Sequence, residues 1–189
     1  LINGIHIYDY FLIPGAITGL LGKRVHMRVK NMQFSRLFKH VSCIHGQPDV
    51  LYAQYLVVIN LALPIHLQYN IPLVGVEHWS EMGKEIVKPD VIELAKRTYP
   101  DVNQLITVSE SLKNNIKKWI GTDAVVVHNM IGREFTYLPN NSSHPFALVS
   151  TGRLVYGKGF DLLIEALHRV NSQLPEGWQC NIIGGGEKQ

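Results

Sequence analysis

The chain has 189 residues, a formal net charge of +3 and two widely separated cysteines, Cys43 and Cys180. That length buries a sizeable core as one domain or holds parts of two, and two distant cysteines give no sign of a disulfide framework and fit a reducing compartment. No apolar run reaches the roughly 20 residues of a membrane span; the stretch from Leu56 to Ile65 is broken by Asn60 and Pro64.

In chain order, Ile5 to Tyr10 alternates with period two and predicts a strand. Residues 11–45 mix loop and helix signals. Within residues 1–45 stand Lys23, Arg24, Arg28, Lys30, Arg36 and Lys39 against the single acid Asp9, a local net charge of +5 that leaves −2 for the remainder. A basic patch beside the apolar run Phe11 to Leu21 suits anionic lipid or a phosphate-bearing acceptor; a solvated helix face accounts for the same charges. No helix-turn-helix, zinc-finger or RNP signature supports nucleic-acid binding. His40, Cys43 and His45 offer three metal ligands without a fourth and do not match the usual zinc spacings, so no metal is expected.

From Asp49 the pattern becomes regular. Strands are predicted over Asp49–Ala53, Pro72–Val76, Leu105–Val108 and Ala124–Val127. Helices are predicted over Tyr55–Tyr69 and Pro89–Tyr99, the latter ended by Pro100. A third helix carries Leu112, Ile116, Trp119 and Ile120 and is capped by Ser109. Residues 129–145, with Asn140-Asn141-Ser142-Ser143 and two prolines, form a polar connector. A fresh β-α-β unit follows: Phe146–Thr151, a helix through Val170, and Gln179–Ile183. Continuous apolar strands separated by helices predict an α/β protein with a parallel sheet covered on both faces, and a ligand cleft at the carboxyl ends of the strands.

The richest stretch is Ser150-Thr151-Gly152-Arg153-Leu154-Val155-Tyr156-Gly157-Lys158-Gly159-Phe160-Asp161. A strand feeds a glycine turn with one arginine and one lysine, and the turn opens into an amphipathic helix marked by Phe160, Leu163, Leu167 and Val170. Free N–H groups and the helix dipole favour an anion at such a start. Arg153 adds a planar fork suited to phosphate oxygens and Lys158 a compact charge, so a diphosphate is the natural guest. Gly152, Gly157 and Gly159 are expected to let the backbone turn and approach it. The loop is neither a Walker loop nor a G-x-G-x-x-G turn. A solvated loop with two idle cations is the plain alternative.

His78 directly follows a predicted strand and so stands at a carboxyl strand end, where catalytic groups collect. Glu77 and Glu81 beside it are expected to be solvated. Gly184, Gly186 and Glu187 form a glycine-rich turn after the last strand.

Gly152-Arg153-Leu154 followed by Lys158 through Leu167 resembles the start of the second domain in retaining glycosyltransferases of the GT-B fold, family 4. Further matching pieces occur in the expected order: Pro48–Leu51, Ile71–Val74 ending in His78, Ile106–Ser111, Val126–Asn129 and Ile183–Glu187. The resemblance runs from about Gln47 to the end. It implies a GT-B architecture: an N-terminal Rossmann-like domain over 1–128 lacking its first strand, a linker over 129–145, and the beginning of a nucleotide-sugar-binding domain over 146–189. The start at Leu1 and the stop at Gln189 fit an internal piece of a longer protein, expected to be inactive alone because the family's E-x7-E glutamates lie later.

The resemblance implies transfer of a sugar from a UDP-, GDP- or ADP-sugar to a saccharide or lipid-linked acceptor, with retention of configuration and without a metal or other cofactor. Arg153 and Lys158 would hold the diphosphate, and His78 would contact the donor sugar. Gly152, Gly184, Gly186 and Glu187 would lie by the donor. The expected location is cytoplasmic, with peripheral contact at the inner membrane face. A GT-B nucleotide-sugar epimerase and a non-catalytic nucleotide-sugar-binding remnant stay open.

Overall fold

Gly22 and Gly46, with φ of 87° and 83°, delimit one uninterrupted helix, α1 (Lys23–His45). It draws together a stretch whose sequence signals are mixed. The computed structural model describes residues 5–8, 22–78, 81–133, 135–136 and 146–186, with only the backbone at 23 and 24. The predicted strand Ile5–Tyr10 is not found over its described part: Ile5 forms one isolated bridge and residues 6–8 are irregular, while Asp9 and Tyr10 lie outside the described residues. These residues turn their rings to the end of α1 instead. The Tyr8 hydroxyl bonds His45 Nε2, and the His6 ring lies 4.4 Å from that of His45.

The chain then alternates strand and helix: β1 (Leu51–Gln54), α2 (Leu56–Tyr69), β2 (Leu73–Glu77), α3 (Pro89–Lys96), a 3-10 turn (Tyr99–Asp101), β3 (Gln104–Thr107), α4 (Glu110–Ile120) and β4 (Val125–Val126). All pairs are parallel, and the strand order β1-β2-β3-β4 follows the chain. β2 is central and buried nearly throughout, which is why it reads as an unbroken apolar run. α2 packs on the sheet through Leu56, Ile59, Ala62 and Leu63. The contact is close because β2 offers Gly75, where a Cβ would stand 2.9 Å from Ile59 Cδ1. Pro64 lies inside α2 on its exposed side and does not end it; burial of the opposite face outweighs the one lost helical hydrogen bond.

Local signals set the helix ends. Pro89 opens α3 at a position where its missing N–H costs nothing. Ser109 caps α4 as predicted, its Oγ accepting the Leu112 N–H at 3.2 Å, and Gly121 closes α4 with φ of 83°.

The chain divides into two compact units, Leu1–Ile131 and Gly132–Gln189. The second contains β5 (Ala147–Thr151), a 3-10 turn (Tyr156–Lys158), α5 (Phe160–Val170), a 3-10 turn (Asn171–Gln173) and β6 (Gln179–Ile183). β5 and β6 pair in parallel from Ala147↔Gln179 to Thr151↔Ile183, the β-α-β unit read from the sequence.

Candidate functional site

In the second unit the backbone builds the site. The β5–β6 ladder continues past the strand ends: the Gly152 N–H donates to Ile183 O at 3.0 Å and the Leu154 N–H to Gly185 O at 2.9 Å. The two turns lie so close that a Cβ on Gly184 would fall 1.8 Å from Gly152 O, and one on Gly186 2.3 Å from Leu154 O. Glycine is required at both positions by backbone approach, not by φ. Gly159 takes φ of 70° and forms the N-terminal boundary of α5, with no side chain capping the helix. The Leu163 N–H reaches back to Gly159 O at 3.0 Å, so the N–H groups of Phe160, Asp161 and Leu162 have no intrahelical partner. Gly157 has ordinary φ and open space around it, so neither turning nor packing within the chain calls for glycine there.

Arg153 and Lys158 are both exposed on this loop, and among the described residues neither joins an ion pair. Two uncommitted cations and a bare helix N-terminus form an anion-binding arrangement, with Asp161 in the first turn as the local opposing charge. A shallow cavity of about 230 Å³ lined by Leu154, Val155, Tyr156, Phe160 and Asp161 adjoins it. Gly152, Arg153, Lys158, Gly184 and Gly186 thus belong to one structural feature. Glu187 lies outside the described residues.

His78 belongs to the first unit. It follows β2 at the edge where the four parallel strands end, and is half-buried. Its ring centroid lies 4.0 Å from that of Tyr55, which follows β1 at the same edge. Tyr55 holds φ of 66° and ψ of 143°, a backbone conformation that strains any residue with a Cβ. The Tyr55 N–H donates to Val76 O at 2.9 Å, which ties that conformation to β2. No sequence signal marks Tyr55, since positive φ there breaks the preference of its residue type.

Glu77 and Glu81 are not solvated. Glu77 is fully buried and Glu81 is 8% exposed. Glu77 Oε2 accepts the Leu56 N–H at 3.0 Å and the Tyr99 hydroxyl at 2.6 Å, so the carboxylate seals the N-terminus of α2 and anchors β2 directly before His78. Burial and the adjacent carboxylate push the Tyr99 hydroxyl far above the ordinary tyrosine range. Glu81 pairs with Lys84 at 2.6 Å. Residue type and spacing do not reveal the burial of Glu77, because its partners Leu56 and Tyr99 come from other elements.

Among the described residues no group of three His, Cys, Asp or Glu side chains is arranged to hold a metal ion. His45, one of the three ligands weighed from sequence, is occupied by Tyr8.

The model of Glycosyltransferase Family 4 matches residues 10–135, more than half of the chain. The chain belongs to that family. His78 falls inside the matched span, and Arg153 and Lys158 lie beyond it. Among solved structures the Family 4 chain is similar to a point mutant of S. aureus TarM in complex with fondaparinux, alpha-GlcNAc-glycerol and UDP, with 14% identity and a TM-score of 0.58. The similarity covers 86% of this chain and 32% of that one, so the chain spans about a third of that relative's length. No curated protein matches the sequence. The architecture is α/β of the GT-B type, a Rossmann-like parallel-sheet unit followed by a second Rossmann-like β-α-β unit. No helix among the described residues is long and apolar enough to cross a membrane.

Proposed function

We propose that this Family 4 chain serves transfer of a sugar from a nucleotide-diphosphate sugar to an acceptor hydroxyl, with retention of configuration. The observation that carries this is the loop from Gly152 to Gly159: two exposed cations without ion-pair partners among the described residues, beside three helix N–H groups that have no intrahelical partner. A departing diphosphate develops negative charge as the bond from the anomeric carbon to its oxygen breaks. Arg153 and Lys158 meet that charge with donors already in place, and the stabilisation grows toward the transition state. The acceptor oxygen bonds the anomeric carbon on the same face and passes its proton to the departing phosphate oxygen. His78 is assigned to contact with the donor sugar, its ring held in orientation by the Tyr55 ring 4.0 Å away. No metal is needed where two side-chain cations neutralise the leaving group.

The acceptor is a saccharide or a lipid-linked acceptor, and the setting is cytoplasmic synthesis of polysaccharide or glycolipid. The solvent face of α1 supports contact with an anionic membrane surface. Arg28, Arg36 and Lys39 are exposed there beside Val25 and Met32, and α1 contains no acidic residue.

The test is transfer from UDP-, GDP- and ADP-sugars by the complete protein carrying Arg153→Ala or Lys158→Ala. Each variant is expected to lose on the order of a hundredfold in turnover without a change in melting temperature. Unchanged turnover in Lys158→Ala overturns the assignment. Formation of an epimer without acceptor, or donor binding with neither transfer nor hydrolysis, replaces transfer with the epimerase or the binding remnant.

A further inference from the structure

Among the described residues, the non-glycine residues with positive φ are Asn70 and Tyr55. Asn70 ends α2 in the left-handed helical conformation, with φ of 54° and ψ of 38°, a usual place for asparagine. Tyr55 has no such account. Its φ of 66° with ψ of 143° lies beside a region that only glycine enters freely, and its side chain is partly exposed, so burial offsets only part of the strain. Backbone bonds hold the conformation in place. The Tyr55 N–H donates to Val76 O at 2.9 Å, and Tyr55 O accepts the Ile59 N–H at 2.9 Å in the first turn of α2. The next N–H, of Leu56, donates to Glu77 Oε2 at 3.0 Å. Both peptide groups that flank the Tyr55 Cα are thus committed, and the direction of its Cα–Cβ bond is set. The ring so placed meets His78, with the two ring planes tilted by 43°. Val76, Glu77 and His78 are consecutive, so one short stretch of chain both fixes the Tyr55 backbone and receives its ring.

Resting on the proposed contact of His78 with the donor sugar, we infer that Tyr55 is a positioning residue for glycosyl transfer, and that its strained backbone is kept because it aims the ring at His78. Glycine would make the same backbone bonds without strain, but would bring no ring. A tyrosine with relaxed φ would break a bond to β2 or to α2 and lose its aim. Stability is therefore given up for a fixed imidazole, as at other strained functional positions. The contact is what restrains that imidazole: among the described residues no hydrogen bond fixes the His78 ring. An imidazole free to swing would meet the sugar in the wrong place, and a displacement of about 1 Å can cost about a hundredfold in rate.

The experiment is a double-mutant cycle of Tyr55 and His78 in the complete protein, read by kcat, donor KM and melting temperature. Tyr55→Gly is expected to lower kcat about tenfold and to change donor KM less. Tyr55→Phe, which keeps the ring, is expected to retain most of the turnover. Tyr55→Gly is expected to melt above Tyr55→Ala, the reverse of the order at unstrained positions. His78→Ala is expected to lower turnover, and Tyr55→Gly added to it to lower turnover no further. Full additivity of the two losses overturns the inference, because the ring then acts without His78. So does a Tyr55→Ala variant at least as stable as Tyr55→Gly, since no strain is then held. Parent-level turnover in Tyr55→Gly beside a loss in His78→Ala overturns it too, and leaves the role of His78 and the glycosyl-transfer proposal standing. Parent-level turnover in His78→Ala removes that role instead, and NMR of labelled histidine then decides the positioning. One His78 rotamer in the parent and in Tyr55→Phe, averaged in Tyr55→Gly, supports it; one rotamer in all three overturns it.

Discussion

Every buried apolar side chain among the described residues belongs to the first unit, and none belongs to the second. In the first, four strands and their helices enclose Leu56, Ile59, Leu73 and Ile116 almost completely. In the second, two strands and one helix leave Val149 62% and Ile183 59% exposed. Within these residues the candidate donor loop is set by local backbone contacts. Its geometry comes from two backbone hydrogen bonds and from glycine turns that run against each other. A packed unit tolerates loss of a single methyl group better than loss of a buried charge; a backbone-built unit is most sensitive to an added methyl.

The largest break in that comparison is expected in the packed unit. Glu77→Ala strips the partner from the Leu56 N–H and the Tyr99 hydroxyl, both in the interior. It should cost about 3 kcal/mol, read as a lower urea midpoint at unchanged slope. Amide exchange in β5 and β6 should not accelerate. Acceleration there would mean that the two units do not respond separately.

Next comes the reverse experiment. Gly184→Ala places a Cβ where Gly152 O stands, so the turns must part. A cost of about 2 kcal/mol is expected, confined to the second unit. The amide protons of Gly152 and Leu154 should lose protection while those of β2 keep theirs. Gly157→Ala is the control: with open space and ordinary φ it should change stability by no more than a few tenths of a kcal/mol.

The smallest effect sharpens the comparison through pH. Tyr99 keeps its proton in the folded unit well beyond the pH at which an unfolded tyrosine, near 10, releases it. Its folded pKa is raised, so its contribution is complete below about pH 10 and is lost above, by about 1.4 kcal/mol per pH unit. Tyr99→Phe should lose about 1 kcal/mol at neutral pH and show a shallower alkaline decline than the parent. Identical alkaline slopes would contradict a tyrosine held protonated by burial and by Glu77.

The order of strands and helices from residue 49 to 183 is legible in the sequence because the strands are continuous apolar runs and the helices carry proline, serine and glycine at their ends. β6 occupies the predicted residues Gln179–Ile183, and β2 is displaced by one residue from Pro72–Val76 to Leu73–Glu77. Period-two alternation misleads at Ile5–Tyr8, where the rings of His6 and Tyr8 find the end of α1 in place of a neighbouring strand. The candidate loop from Gly152 to Gly159 stands out in the sequence because glycine and cations are rare together. Glu77 does not, because a carboxylate in a loop and one sealing a helix start differ only in what folds around them. Tyr55 is invisible for the same reason.

In the first unit the spatial order of strands equals their order in the chain. No described strand has to be inserted between two already paired, since each joins at the free edge left by the one before. The sheet can therefore be laid down in the direction of synthesis, with β1 and β2 docked before β3 and β4 leave the ribosome. The chain's most buried strand then gains its first partner early, and its apolar edge waits only as long as translation takes to deliver the next.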